Sequence, residues 1–230
     1  CLLLQEGHGT AAQIDAVARK AFRIGLGPFG LMNLTGPPIA LHSTDYLAEQ
    51  LATPRYNGAD NLRELVNEGH MWAIEDEESY SESQYEAISR RLYGVVFGVA
   101  AQIVAEGVCS MEDVDRGAKV GLRWARGPFE LMNKVGVKNS YEMAEDYLTL
   151  CKDEAGNSNW NLPEFFATQA SDNADWNFSY VDTQIENGIA TVTINRPEAM
   201  NALNETVIHQ LGLAIDTINA NDDVHTIVLD

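Results

Sequence analysis

Five histidines, three cysteines and one dense acidic run carry the groups in this chain with the widest chemical repertoire, and their spacing excludes most of that repertoire. His8, His42, His70, His209 and His225 are scattered, and no His-Glu-x-x-His pair places two imidazoles on one helix face. Each reads as a surface or packing histidine rather than a metal ligand or a general base. Cys1, Cys109 and Cys151 are odd in number and far apart, with no Cys-x-x-Cys. That pattern implies neither a zinc ribbon nor a disulfide framework, and it fits a reducing, cytoplasmic setting. Glu75-Asp76-Glu77-Glu78-Ser79 lacks the alternating ligands of a calcium loop and reads as a solvated connection. No Walker-type loop and no Gly-x-Gly-x-x-Gly after a strand offers a phosphate cradle.

The chemistry must therefore be sought in how the chain is organised. It has 230 residues, a net charge of -19 and an apolar fraction of 45%, enough for a packed core in one or two domains. Such acidity excludes an unaided phosphate-backbone binder, so nucleic acid is not an expected partner. It fits a salt-adapted cytosol and an ordinary soluble surface equally. No apolar run reaches the length of a membrane span, and no basic segment followed by an apolar one opens the chain. The sequence starts in what reads as mid-helix and stops on a strand-like run, which leads us to expect a piece of a longer polypeptide.

Residues 6–36 laid over 106–136 match at 12 of 31 positions, where average composition gives about two or three. The matches punctuate helices. Thr10 with Gln13 and Ser110 with Asp113 fit capping boxes. Ile14, Ala18, Ala21 and Phe22, like Val114, Ala118, Gly121 and Leu122, form helical stripes. Gly27-Pro28-Phe29 and Gly127-Pro128-Phe129 then break one helix and begin another, with Gly permitting the turn and Pro tolerated at the first helical position. Met32 and Met132 recur at equivalent places and read as packing residues. Residues 85–105 read as a long core helix with Ile88, Leu92, Val95, Val99, Ile103 and Val104 on one face and Gly98, Ala100 and Ala101 admitting a close neighbour. Its first-copy counterpart would end within the first five residues.

The period changes near residue 180. Residues 156–179 read as a polar linker docked by Trp160, Phe165, Phe166 and Trp176. Val181, Thr183 and Ile185 then alternate, as do Ala190, Val192 and Ile194, around Asn187-Gly188, a strong hairpin signal. Asn204 can cap a helix carrying Val207, Ile208, Leu211, Ile215 and Ile218 on one face, and Thr226 to Leu229 begins a buried strand. The expected organisation is a first helical unit at 1–75, a second at 76–155, the linker, and an unfinished α/β segment at 180–230.

Glu106-Gly107-Val108, Ser110-Met111-Glu112-Asp113-Val114-Asp115, Gly127-Pro128-Phe129-Glu130-Leu131 and Gly136 closely resemble the C-terminal helical domain of L-3-hydroxyacyl-CoA dehydrogenases. The first copy keeps Gly27-Pro28-Phe29-Gly30-Leu31, with Gly30 where the family usually has Glu. Val192-Thr193-Ile194-Asn195-Arg196-Pro197-Glu198-Ala199-Met200-Asn201-Ala202-Leu203 resembles the opening of the enoyl-CoA hydratase, or crotonase, family.

The resemblance implies a mainly α fold, tandem helical repeats of the 6-phosphogluconate-dehydrogenase C-terminal type, followed by the hairpin, helix and strand that open a crotonase-type α/β domain. It also implies a bifunctional β-oxidation enzyme using NAD and coenzyme A thioesters, without a metal, and pairing of subunits through the helical domain. The family's NAD site and catalytic His–Glu pair belong to an upstream Rossmann domain. Neither copy keeps the family's catalytic Asn, and Arg90 stands at its place in the second. The hydratase's two Glu side chains would follow Asp230, so no catalytic residue is expected in this chain. Gly27, Pro28, Leu31 and Met32 are candidates for one wall of the acyl cleft, the alternative being a helix break with core contacts. Glu198, Ala199 and Asn201 are candidates for the CoA nucleotide, the alternative being a plain strand-to-helix turn. A non-catalytic module for association or acyl-CoA binding is the other functional reading.

Overall fold

The computed structural model of the chain describes residues 1–51, 56–75, 79–151 and 160–230. The first helical unit contains α1 (Leu2–Gln5), α2 (Ala11–Phe22), α3 (Pro28–Thr35), α4 (Pro37–Leu51) and α5 (Asp60–Glu68). The long α6 (Glu82–Ala105) leads into the second unit, with α7 (Met111–Gly121), α8 (Pro128–Val135), α9 (Val137–Leu150) and α10 (Glu164–Asp172). Under the 100-residue shift α1 falls on the last turn of α6, as expected. The acidic run read as a solvated loop lies largely outside the described residues.

Local signals explain most boundaries. Thr10 closes a full capping box with Gln13, whereas Ser110 accepts from the Asp113 N–H while Asp113 turns to Arg116. Ile14, Ala18, Ala21 and Phe22 are all buried, but the equivalent second stripe is not: Leu122 is 63% exposed. Trp124 takes its place beside Phe22, their ring centroids 4.7 Å apart.

The helix α6 is long and apolar enough to cross a membrane by length and composition alone. Here it is the shared central helix, with Ile88, Phe97 and Ala101 fully buried. The face expected from Val95, Val99 and Ile103 is only half-buried. The buried positions run instead through Ile88, Tyr93, Phe97, Ala100 and Ala101, because α6 is enclosed from several sides rather than along one stripe. Small residues set its approach to α9: a Cβ on Gly94 would lie 2.4 Å from the Met143 carbonyl oxygen, and one on Gly98 2.6 Å from the Trp160 ring.

The segment read as a linker is more than a connection. Within it α10 buries Phe166 and Ala170 against α9, and Trp176 joins the same core cluster. Residues 156–159 lie outside the described set.

The α/β segment follows, with β1 (Val181–Glu186) and β2 (Ile189–Ile194) antiparallel around Asn187 and Gly188, both at positive φ. After a 3-10 turn (Pro197–Ala199), α11 (Glu205–Asn219) starts under an Asn204 cap and β3 (Thr226–Leu229) pairs parallel to β2. Two expectations fail here. The inward line of α11 is Val207, Leu211, Ala214 and Ile218, leaving Ile208 and Ile215 exposed, because a helix laid on so narrow a sheet buries a thin stripe. The strand β3 is an exposed edge rather than buried.

Candidate functional site

The two helices opened by Gly-Pro-Phe, α3 and α8, are each held by a carboxylate from the preceding helix. Asp15, buried on α2, accepts at Oδ1 from the Phe29 N–H and at Oδ2 from the Gly30 N–H, both at 2.7 Å. Asp115 on α7 does the same for Phe129 and Glu130 at 2.8 Å. Proline supplies no N–H, so these are the first donors each helix offers. The glycines before them are needed for space. Their φ values, -79° and -72°, suit any residue, but a Cβ on Gly27 would lie 2.4 Å from Asp15 Cγ and one on Gly127 2.2 Å from Asp115 Cγ. Burial pushes the Asp115 carboxyl up to about 6 against the opposing pull of its two backbone donors.

Sequence reasoning counted these aspartates as matches without giving them a role. The available signal was an acid recurring beside the apolar stripe at the same helical position in both copies. Their placement also bears on NAD. The α3 and α8 N-termini, where a phosphate could sit, have their leading N–H groups committed to carboxylates. The residues at these two helix starts do not fit a dinucleotide.

A second shared feature closes each unit. Asn33 exchanges two hydrogen bonds, both 2.9 Å, with the Trp72 backbone; Asn133 does so with Trp176 at 2.9 and 2.8 Å. Phe29 meets Trp72 edge-on, and Phe129 meets Trp176 likewise. The tryptophans are offset by 104 rather than 100, because α9 ends one residue short of the 100-residue shift and the chain from it to α10 is five residues longer than that between α4 and α5. An ungapped comparison misses them.

The units part company on the outer face of α3 and α8. In the first, Leu26, Gly30, Asn33 and Leu34 face Met71, Trp72, Ala73, Ile74 and Glu75 across an open groove of about 700 Å³. Leu34 is 76% exposed. The four expected cleft residues do not gather there. Gly27 is buried against Asp15, Pro28 is half-buried, Met32 packs into the core and Leu31 points outward. In the second unit Glu130 replaces Gly30, accepting from the Gly127 N–H at 3.2 Å and from Lys119 at 2.7 Å, and Lys134 replaces Leu34. Met132 is wholly buried, as its packing role requires.

At the other candidate site, the strand-to-helix turn is tied to α7. Glu198 pairs with Arg116 at 3.3 Å, and Asn201 Oδ1 accepts from the Arg196 N–H at 2.9 Å. Ala199 is half-buried beside them, while Met200 and Asn201 adopt left-handed φ of 53° and 54°. Arg196 lies over the Tyr180 ring. Arg90 bonds to Asp146 on α9. Among the described residues no three His, Cys, Asp or Glu side chains cluster as a metal site.

Comparison with known families accounts for both halves. Residues 1–82 and 88–172 match the family model described as the 3-hydroxyacyl-CoA dehydrogenase C-terminal domain, and residues 184–230 match enoyl-CoA hydratase/isomerase. The first match runs through α10, in keeping with a second unit that reaches past α9. No curated protein and no solved structure matches the chain. With most of its length matched and two helical units built on one buried plan, the chain belongs to the 3-hydroxyacyl-CoA dehydrogenase family, its C-terminal helical domain continuing into the start of an enoyl-CoA hydratase/isomerase domain.

Proposed function

We propose that this chain is the central scaffold of a bifunctional β-oxidation enzyme that hydrates trans-2-enoyl-CoA and oxidises the resulting L-3-hydroxyacyl-CoA with NAD. The observation carrying this reading is the largely apolar groove of the first unit, lined by Leu26, Gly30 and Leu34 where the second unit has Arg126, Glu130 and Lys134. An acyl chain lying along Leu26, Gly30, Leu34 and Ile74 would bury apolar surface at about 25 cal/mol per Å². Gly27 and Pro28 shape the wall from behind. The turn bearing Glu198, Ala199 and Asn201 is assigned to the CoA nucleotide.

Residues 1–230 hold supporting surface rather than a reacting set, so the purified chain is expected to bind acyl-CoA without oxidising or hydrating it. Titration with acyl-CoA, followed through Trp72 fluorescence, should show tighter binding as the acyl chain lengthens. Equal affinity for free CoA would refute the groove assignment, and NADH-dependent turnover of acetoacetyl-CoA would refute the scaffold reading. Exposed Ile39, Tyr46 and Leu51 on α4 favour association of helical domains as an accompanying role. Light scattering should then report a dimer.

A further inference from the structure

The second unit differs from the first along one side of α7, and that side carries the α/β segment. Positions 12 and 16 of α2 are alanines, both buried. Their counterparts on α7 are Glu112 and Arg116, and both reach across the seam. Glu112 accepts from the Ser179 N–H at 2.7 Å, just before β1.

Arg116 spans the whole strand-to-helix turn. Its Nη2 donates to the Asn195 side chain at 3.1 Å, its Nε donates to Glu198 at 3.3 Å, and its Nη1 is braced by Asp113 at 2.6 Å. One planar guanidinium thus fixes the last residue before the turn and a residue within it, a geometry that lysine cannot reproduce. The Glu198 side chain is only 12% exposed, so this pair is weakly screened. The turn has its own hydrogen bonds, from the Met200 N–H to the Pro197 carbonyl and from the Asn201 N–H to the Arg196 carbonyl, but Met200 is left-handed and 92% exposed, so no side-chain packing adds to them and Arg116 supplies the hold from outside.

We infer that Arg116 is a positioning residue that locks residues 195–201 into the conformation seating the CoA nucleotide, so that the second helical unit sets the affinity of a site lying in the α/β segment. The consequence for CoA rests on the assignment of that turn given above; the locking itself rests on the contacts alone.

Hydrogen exchange on the intact chain, with and without free coenzyme A, separates the two. Arg116→Ala should speed exchange of the amides at 196–202 by about tenfold or more, as expected for losing hydrogen bonds to a charged group. The amides of α3 should keep their wild-type rates. Affinity for coenzyme A should fall by a similar factor, with Arg116→Lys recovering part of both effects. Wild-type exchange at 196–202 in Arg116→Ala, or acceleration spread equally over α3, would overturn the inference. Should Arg116→Ala not fold, Glu198→Gln tests the same pair from the other side, with local acceleration expected and wild-type rates counting against it. If coenzyme A leaves 196–202 unprotected in the wild type, the nucleotide assignment fails, while the comparison of variants still decides whether Arg116 locks the turn.

Discussion

The two helical units share their buried skeleton and differ on their outer faces. Aspartate, glycine, phenylalanine, asparagine and tryptophan recur as Asp15, Gly27, Phe29, Asn33 and Trp72, then as Asp115, Gly127, Phe129, Asn133 and Trp176, with the same hydrogen bonds. Outside that skeleton, Ala12, Ala16, Gly30 and Leu34 become Glu112, Arg116, Glu130 and Lys134. The first unit is left with a largely apolar groove, with Glu75 at its lining, and the second with charged groups, two of which hold the α/β segment. Identity between the copies thus marks what folds them. Divergence marks what each is used for.

The largest test of the shared skeleton is Gly127→Ala. The added Cβ would lie 2.4 Å from Asp115 Cα, which can move only with α7 itself. We expect a loss of about 3 kcal/mol or failure to fold, read by denaturant unfolding. Gly27→Ala should behave alike, since its Cβ meets Asp15 Cα at 2.8 Å. If one glycine tolerates alanine and the other does not, the skeletons are not equivalent.

Next comes the carboxylate. Asp115→Ala leaves two buried N–H groups at the start of α8 unsatisfied, which should cost about 2 kcal/mol, and Asp15→Ala should cost a similar amount at α3. A cost confined to one unit would break the comparison at its centre.

These residues show where sequence reading stops. The hairpin and the helix caps were legible because Asn187-Gly188, Thr10 and Asn204 act within a few residues of themselves. Asp15 and Trp72 act across 14 and 39 residues, and four extra residues before α10 concealed the second tryptophan's equivalence. The stripe on α11 was assigned too broadly, since periodicity gives a helix's apolar side but not the width of what covers it. The candidate cleft residues lie on α3 and at its start, on other sides of the helix than the groove. The groove follows Leu26, Gly30 and Leu34, and Asp15 fixes how α3 is turned toward it.

A smaller effect in the second unit is read by pH. The folded Asp115 carboxyl titrates at about 6, against an ordinary 3.8. Between those values the folded unit holds a proton that the unfolded chain releases, so this group's contribution to stability falls as pH rises through the window and is largest below it. Asp115→Asn should remove that slope. Wild type and variant should therefore differ in the pH dependence of unfolding between about 4 and 6, with parallel curves speaking against a buried, proton-holding carboxylate.

The smallest expected change sharpens the comparison most, because it transplants a difference instead of deleting a shared feature. Gly30→Glu gives the first unit the residue that the second uses to accept from its own glycine N–H. The new Cβ would meet Leu26 Cδ1 at 2.8 Å, the movable end of a flexible side chain. Replacing a glycine in the first turn of α3 should return up to about 1 kcal/mol, so stability should stay level or rise slightly. The carboxylate would stand in the groove between Leu26 and Leu34 and burden any acyl chain there with desolvating a charge. Affinity for long-chain acyl-CoA should fall several-fold while free coenzyme A binds as before. If long-chain binding survives, the acyl chain lies elsewhere, and the openness of the first unit has a purpose other than the substrate.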